Sequence, residues 1–270
     1  MPELPEVETV KNQLLPHIIG RTITKVTLLW ERMVKGQDAA EFTRRIAGQK
    51  ILDIVRHGKY LIVNLNSGEK LIIHLKMTGS LLLEKDTAEM PKFTRAIIHL
   101  DNGQNIYFRD PRKFGLLKLA KNTNEIDAKL GPEPLEAGFT LKLFAESVLK
   151  RTAPIKALLL DQKFVAGVGN MYADEALFLA RIDPRRPANS LKKTQIKRLY
   201  NAIHDVLIAG IKYGGASVVT YFHPDGSVGT AHQHFNVAHN QKKECPVCGG
   251  PIKRVVVRGR GSYYCPKCQK

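Results

Sequence analysis

Two ends of this chain carry residue types that do chemistry. It opens Met1-Pro2-Glu3-Leu4-Pro5-Glu6, and its last segment holds Cys245-x-x-Cys248 and Cys265-x-x-Cys268. Removal of Met1 would leave Pro2 as a secondary amine with the pKa of an α-amino group, roughly 7.7 to 8.0, so a share of it is unprotonated at neutral pH. Such an amine can attack an electrophilic sugar carbon and hold it as an iminium, the covalent logic of Schiff-base lysines. Glu3, next in the chain, can move the protons. The same residues also read as an ordinary helix start, since proline suits the first turn and Glu3, Glu6 and Glu8 complement the positive dipole end. The readings are compatible: Val7, Val10 and Leu14 follow at i, i+3 and i+7, predicting a helix that would hold the amine rigidly.

The four cysteines are the whole complement of the chain, with sixteen residues, Gly249 to Tyr264, between the two pairs. This spacing reads as structural zinc; two disulfides are the competing reading, disfavoured in a chain with no secretion signal. Four thiolates would fill the tetrahedron and leave no position for water, so the metal would fold the segment and not catalyse. Metal binding worth roughly 10 to 16 kcal/mol would stabilise a stretch too short for a core of its own.

Between these ends lie further candidates, each with a plainer alternative. Gly167-x-Gly169-Asn170 leads into a helix and can present backbone N–H groups to a phosphate, or simply cap the helix. Phe108-Arg109-Asp110-Pro111-Arg112-Lys113-Phe114-Gly115 joins cations, a turn and an aromatic, as a DNA-probing loop requires. Its alternative is a basic surface loop with Phe114 in the core. Met77 reads by default as a strand-end core residue. Lys59, in His57-Gly58-Lys59-Tyr60, would reach a phosphate, carry a proton, or stay solvated. Arg258-Gly259-Arg260-Gly261 falls between the cysteine pairs, where a hairpin tip would bring cations to a nucleic-acid backbone. His232, His234 and His239 lack nearby acidic partners, which argues against a second metal cluster.

Charge supports a polyanionic partner: Lys and Arg total 42 against 25 Asp and Glu among 270 residues, a net charge of +17. A ribosome-associated protein or a merely basic enzyme would share that charge. No run is long and apolar enough for a membrane span, and the start is acidic, unlike an export signal, so a cytoplasmic location is expected.

The elements that must position these residues fall into two regimes. Up to about Ala120, short apolar runs separated by turns predict antiparallel strands, among them Ile23 to Trp30, Lys50 to Val55, Tyr60 to Leu65, Lys70 to Leu75, Ala96 to Leu100 and Asn105 to Arg109. Asn66-Ser67-Gly68 and Asp101-Asn102-Gly103 are hairpin turns between such runs. Strands at this spacing predict a sandwich. Gly131-Pro132-Glu133-Pro134 marks a hinge, after which helical periodicity takes over at Pro154 to Gln162 and Met171 to Ile182. A third helix, capped by Ser190, carries the stripe Ile196, Leu199, Ile203, Val206 and Ile211. Tyr213 to Asn240, rich in Gly and His, reads as a long mobile loop.

Taken in order, Met1-Pro2-Glu3-Leu4-Pro5-Glu6-Val7-Glu8-Thr9, Phe108 to Gly115, Gly167 to Glu175 and the four-cysteine ribbon with Arg260 resemble bacterial formamidopyrimidine-DNA glycosylases over essentially the whole chain. The Leu4-Pro5 form fits this branch better than the related endonuclease VIII branch. The resemblance implies an α+β fold: an N-terminal β-sandwich catalytic domain with flanking helices (1–130), a linker (131–150), a helix-two-turn-helix domain with the lesion-recognition loop (151–240) and a zinc ribbon (241–270), with DNA in the cleft between them. It implies that Pro2 is the nucleophile, Glu3 the acid-base group and Glu6 its support. Lys59 would donate a proton in β-elimination, and Arg260 would contact phosphate and serve δ-elimination. Met77, Arg112 and Phe114 would fill the gap left by an extruded base, and His74, Arg151 and Asn170 would hold phosphates. The expected partner is double-stranded DNA containing oxidised purines or abasic sites, bound by a monomer with one structural zinc ion.

Two stretches depart from the family pattern. Lys92-Phe93-Thr94-Arg95 stands where Lys-His-x-His is common, replacing a DNA-contacting His by Phe93, and Val237-Ala238-His239-Asn240 stands where many members have Val-Tyr-Gly-Arg. They bear on lesion-loop geometry and on which damaged base is preferred. Two rivals remain at this stage: an oxidised-pyrimidine glycosylase of the endonuclease VIII kind, and a catalytically silent damage-binding protein, against which Pro2 and Glu3 argue.

Overall fold

A computed structural model describes residues 1–218, 221–240 and 243–270. Among these, no helix is long and apolar enough to cross a membrane. The chain divides into two compact units, the first formed by residues 1–125 and 213–230, the second by 126–212 and 231–270.

The first unit begins with α1 (Leu4–Ile18), then β1 (Ile23–Leu28), α2 (Ala39–Ile46), β2 (Ile51–His57), β3 (Tyr60–Leu65), β4 (Lys70–His74), β5 (Ser80–Lys85), β6 (Thr94–Leu100), β7 (Gln104–Arg109) and β8 (Leu116–Ala120). The strands form two four-stranded antiparallel sheets, in the orders β1-β6-β7-β5 and β2-β3-β4-β8. One core joins them: Ile98 and Phe108 from the first sheet, Leu61 and Leu117 from the second, Val10 from α1 and Phe42 from α2. The predicted hairpin turns are present, Asn66 to Gly68 between β3 and β4 and Asp101 to Gly103 between β6 and β7. Three elements went unpredicted. The start of β5, Ser80 to Leu83, lacks the polar–apolar alternation that marks a half-buried strand. In β8 alternate residues are buried, but the strand is only five residues long. In α2, Asp38 caps the helix by accepting the Glu41 N–H, a signal visible only once the cap is recognised.

The short α3 (Asn124–Asp127) straddles the division between the units, and the second unit runs on through α4 (Leu141–Leu149), α5 (Ile155–Leu160), α6 (Asn170–Leu179) and α7 (Lys193–Lys212) to the hairpin β9 (Lys253–Val257) and β10 (Arg260–Tyr264). The stretch 131–150, expected as a linker, contains α4, capped by the Thr140 hydroxyl and burying Phe144 and Val148. Its Gly/Pro-rich start is bonded within the same unit as well: Gly131 N–H donates to Gln162 O, and Pro132 O accepts from Ala166 N–H. Ser190 does not cap α7. It sits in a 3-10 turn with its hydroxyl on Pro187 O, while Gln195 accepts the Lys192 N–H at the helix start.

The segment 213–240, expected as one mobile loop of the helical domain, divides instead: contacts group 213–230 with the first unit and 231–240 with the second. Residues 219 and 220, inside that expected loop, and 241 and 242, at the expected start of the ribbon, lie outside the described residues.

α6 and α7 approach closely because Gly210 has no side chain. A Cβ built there would lie 2.6 Å from the buried ring of Tyr172. Gly210→Ala is therefore expected to destabilise the protein by about 1–3 kcal/mol through overpacking, although alanine is the better helix former. Urea unfolding midpoints of the two proteins check this.

Candidate active site and metal centre

Pro2, Glu3 and Glu6 are all buried at the start of α1. Glu3 and Glu6 form a capping box, in which a Glu6 oxygen accepts the Glu3 N–H at 2.7 Å. The other Glu6 oxygen accepts the Ala216 N–H at 2.7 Å, and Tyr221 donates its hydroxyl to Glu6 O at 3.1 Å. The helix start thus does two jobs at once: it caps the helix and grips the 213–230 segment. Glu8, one turn on, connects the terminus to the second sheet by accepting from Arg56 Nε at 2.7 Å, while Arg56 Nη1 donates to Gly58 O. Burial pushes the Glu8 carboxyl up, but its bonds to Lys11 and Arg56 hold it below the usual carboxylate range.

Gly58 and Lys59 form the tight turn between β2 and β3, and the Lys59 side chain is buried, so the solvated reading of Lys59 does not hold. Across β3, His74 pairs with Tyr60 and packs edge-on against its ring. His74 Nδ1 accepts the Lys76 N–H at 2.9 Å, which leaves Nε2 as the protonated, donating nitrogen. Burial, helped by Lys76 and Lys59 nearby, pushes its pKa down to about 3, so the ring is neutral at pH 7.

The turn that carries Met77 and the Phe108–Gly115 loop meet where Thr78 bonds to Asp110. This buried carboxylate accepts from the Thr78 hydroxyl, from Arg112 N–H at 3.2 Å, and from Phe114 and Gly115 N–H groups at 2.7 Å each. Gly79 and Gly115 both press on the ring of buried Phe108, leaving no space for a Cβ at either position. The consequence is a rigid turn that displays its cations and aromatics. Phe114 is 51% exposed, contrary to its core alternative, and Arg112 lies over its ring at 4.7 Å. Met77 is only partly buried in its own turn, not a core residue. Lys113 lies over Trp30 at 4.2 Å.

In the second unit, the Asn170 amide opens α6 and donates to Gly261 O at 3.0 Å, next to exposed Arg260 at the tip of the β9–β10 hairpin. Lys156 donates to the same carbonyl at 3.0 Å and pairs with Asp174 at 2.6 Å; both side chains are fully buried. Asp174 also accepts the Tyr263 N–H, and burial pushes its carboxyl up to about 7 even with Lys156 alongside. This network, which sequence reasoning missed, locks the hairpin to α5 and α6. Arg151 stands apart from it, exposed just past the end of α4. Glu175, also missed, accepts the backbone N–H groups of Asn236, Val237 and Ala238, so a buried carboxylate holds the start of the Val237-Ala238-His239-Asn240 stretch.

The four cysteine sulfurs lie within 4.8 Å of one another, and they are the only group of three or more metal-ligating side chains among the described residues. All four are free thiols, which removes the disulfide alternative. A tetrahedron of sulfurs about 2.3 Å from zinc has edges of about 3.8 Å. The Cys245–Cys268 and Cys248–Cys265 separations of 3.8 and 3.5 Å fit it.

A helix-led β-sandwich, a helical unit and a four-thiolate ribbon define the architecture of a zinc-finger DNA glycosylase. Family comparisons agree: the formamidopyrimidine-DNA glycosylase N-terminal domain matches residues 1–117, its H2TH domain 130–221, and the zinc finger found in FPG and IleRS 242–270. The formamidopyrimidine-DNA glycosylase of Pelotomaculum thermopropionicum is 43% identical over all of this chain and 99% of its own. That of Chloroflexus aurantiacus is 44% identical, again over all of this chain and 98% of its own. The crystal structure of MutM (FPG) from Thermus thermophilus superposes with a TM-score of 0.90 at 40% identity, covering 99% of this chain and 98% of that one. Lactococcus lactis Fpg in complex with abasic-site DNA superposes at 0.93 and 35% identity, covering 99% of each chain. This chain belongs to the formamidopyrimidine-DNA glycosylase family.

Two outcomes follow for the site. Cys248→Ser is expected to unfold the ribbon and weaken DNA binding, seen as zinc loss and a lower affinity for duplex; unchanged affinity at low zinc would contradict the structural role. His74 is neutral when folded but takes a proton near pH 6.5 when unfolded, so its contribution to stability is lost as pH falls from about 6.5 toward 3. His74→Gln should therefore lose about 2 kcal/mol less than wild type between pH 7 and 4.5, read from urea midpoints.

Proposed function

We propose that this chain is a bifunctional DNA glycosylase and AP lyase, acting as a monomer to excise oxidised purines, 8-oxoguanine and formamidopyrimidines, from duplex DNA in base-excision repair. The observation that carries this reading is the buried Pro2-Glu3-Glu6 terminus, whose carboxylates fix the helix start on which a processed Pro2 amine would sit. Relatives solved with Fapy-dG containing or abasic-site DNA support the substrate class.

The damaged nucleotide is extruded at a cost of a few kcal/mol, and Met77, Arg112 and Phe114 fill the space it leaves. With Met1 removed, the Pro2 nitrogen uses its lone pair to attack C1′. The C1′–base bond breaks, the base leaves with that electron pair and takes a proton, and the sugar opens to an iminium on Pro2. Glu3 moves protons at the sugar, and Glu6 holds Glu3 in place. Loss of a C2′ proton then expels the 3′ phosphate, with Lys59 supplying the proton of β-elimination. A second elimination, served by Arg260, takes the C4′ proton and expels the 5′ phosphate, and water then hydrolyses the iminium, releasing the unsaturated aldehyde and the free Pro2 amine. His74, through its Nε2–H, Arg151 and Asn170 hold backbone phosphates. Zinc, when bound, folds the ribbon that carries Arg260 and adds no chemistry of its own.

Borohydride reduction during incubation with an 8-oxoguanine:C duplex is expected to trap a covalent adduct whose intact mass lacks Met1. Pro2→Gly should keep part of this trapping, because an amine remains. Absence of an adduct, full activity in a chain that retains Met1, or preference for a thymine-glycol duplex would each overturn the reading. Duplex affinity should fall with salt at a log–log slope of about 0.9 per phosphate contact.

A further inference from the structure

Phe93 takes a left-handed backbone, with φ 68°, that a bulky residue rarely adopts. Its backbone is fixed there: Phe93 O accepts the Asp110 N–H at 3.0 Å, and Arg95 Nε donates to Asp110 O at 2.8 Å. The ring of Phe93 lies 5.5 Å from the guanidinium of Arg109, and Phe222 lies 5.2 Å from the same group. Arg109 Nη1 is buried with no hydrogen-bond partner among the described residues, so the two rings are what this cation faces there. Arg109 is half-buried, and a partly desolvated guanidinium is drawn to the negative faces of aromatic rings.

Phe222 belongs to the 213–230 segment. That segment is tied to α1 by the Glu6 bonds to Ala216 and Tyr221, and to β5 by Leu83 N–H donating to Pro224 O at 2.7 Å. The Arg109 stack is its tie to β7. Asp110, which organises the turn displaying Arg112 and Phe114, directly follows Arg109 and is bonded through its backbone to Phe93.

Resting on the reading above, we infer that Phe93, Arg109 and Phe222 are positioning residues: their stack holds the stretch around Phe222 in a lesion-reading arrangement before DNA binds and couples it to the loop that fills the extruded base's place. The stack touches no reacting atom. Its contribution is to base selection and excision, and cleavage at an abasic site, where there is no base to read, does not need it.

The test compares kcat/KM for base excision from an 8-oxoguanine:C duplex with strand cleavage of an abasic-site duplex. Arg109→Lys, which keeps the charge but loses the planar face, and Phe222→Leu are expected to lose roughly ten-fold on the lesion and less than about two-fold on the abasic site. Phe93→Tyr, which keeps the ring, should retain both activities. Chymotryptic cleavage after Tyr221 or Phe222 in the absence of DNA should accelerate in Arg109→Lys. Equal losses on both substrates, or unchanged lesion excision, would overturn the inference. A wild-type protein inactive on both duplexes would instead sink the functional reading, and the chymotrypsin comparison would still decide whether the stack holds the segment.

Discussion

The Glu6 carboxylate is fully buried, and that single fact organises the first unit. A buried carboxylate is costly unless each oxygen finds a donor. Here one oxygen is taken by the backbone of Glu3, inside the helix cap, and the other by the backbone of Ala216, some two hundred residues later. Satisfying this carboxylate therefore ties together the chain terminus and the return segment, and neither can shift without costing it a donor. Gly215 is part of the same constraint, since its φ of 77° and the Glu6 side chain beside it exclude any larger residue.

The second unit uses the same device twice. Lys156 and Asp174 pair in the interior and bring the hairpin carbonyl of Gly261 to both Lys156 and Asn170, while Glu175 gathers three consecutive backbone N–H groups. Buried pairs are weak stabilisers, because desolvation consumes most of their attraction, but removing one partner is strongly destabilising. Such pairs are well suited to holding loops in one arrangement. The hairpin that presents Arg260 is positioned partly by this pairing and partly by its zinc site, so charge and metal divide the work that a larger apolar core would otherwise do.

What could be read from the sequence was local. The first helix, the strand from Tyr60 to Leu65, the hairpin turns and the cysteine tetrad follow from periodicity, turn chemistry and ligand spacing, all confined to a few neighbouring residues. What escaped was non-local or masked by stronger signals. The Gly/Pro cluster at 131–138 drew attention from the Thr140 cap and the helix behind it. Asp110, Asp174 and Glu175 are ordinary acidic residues in sequence, and their roles exist only because folding brings backbone N–H groups from elsewhere to them. The division of 213–240 between units depends on Glu6, at the other end of the chain.

The stacking of Lys113 on Trp30 has a practical side. Trp30 is the sole tryptophan of the chain, and an ammonium group held against an indole alters its emission. The molecule thus carries its own optical reporter beside the loop that displays Phe114. Displacement of Lys113 toward a phosphate would register as a change in native fluorescence, making each engagement of that loop visible in real time without an attached dye.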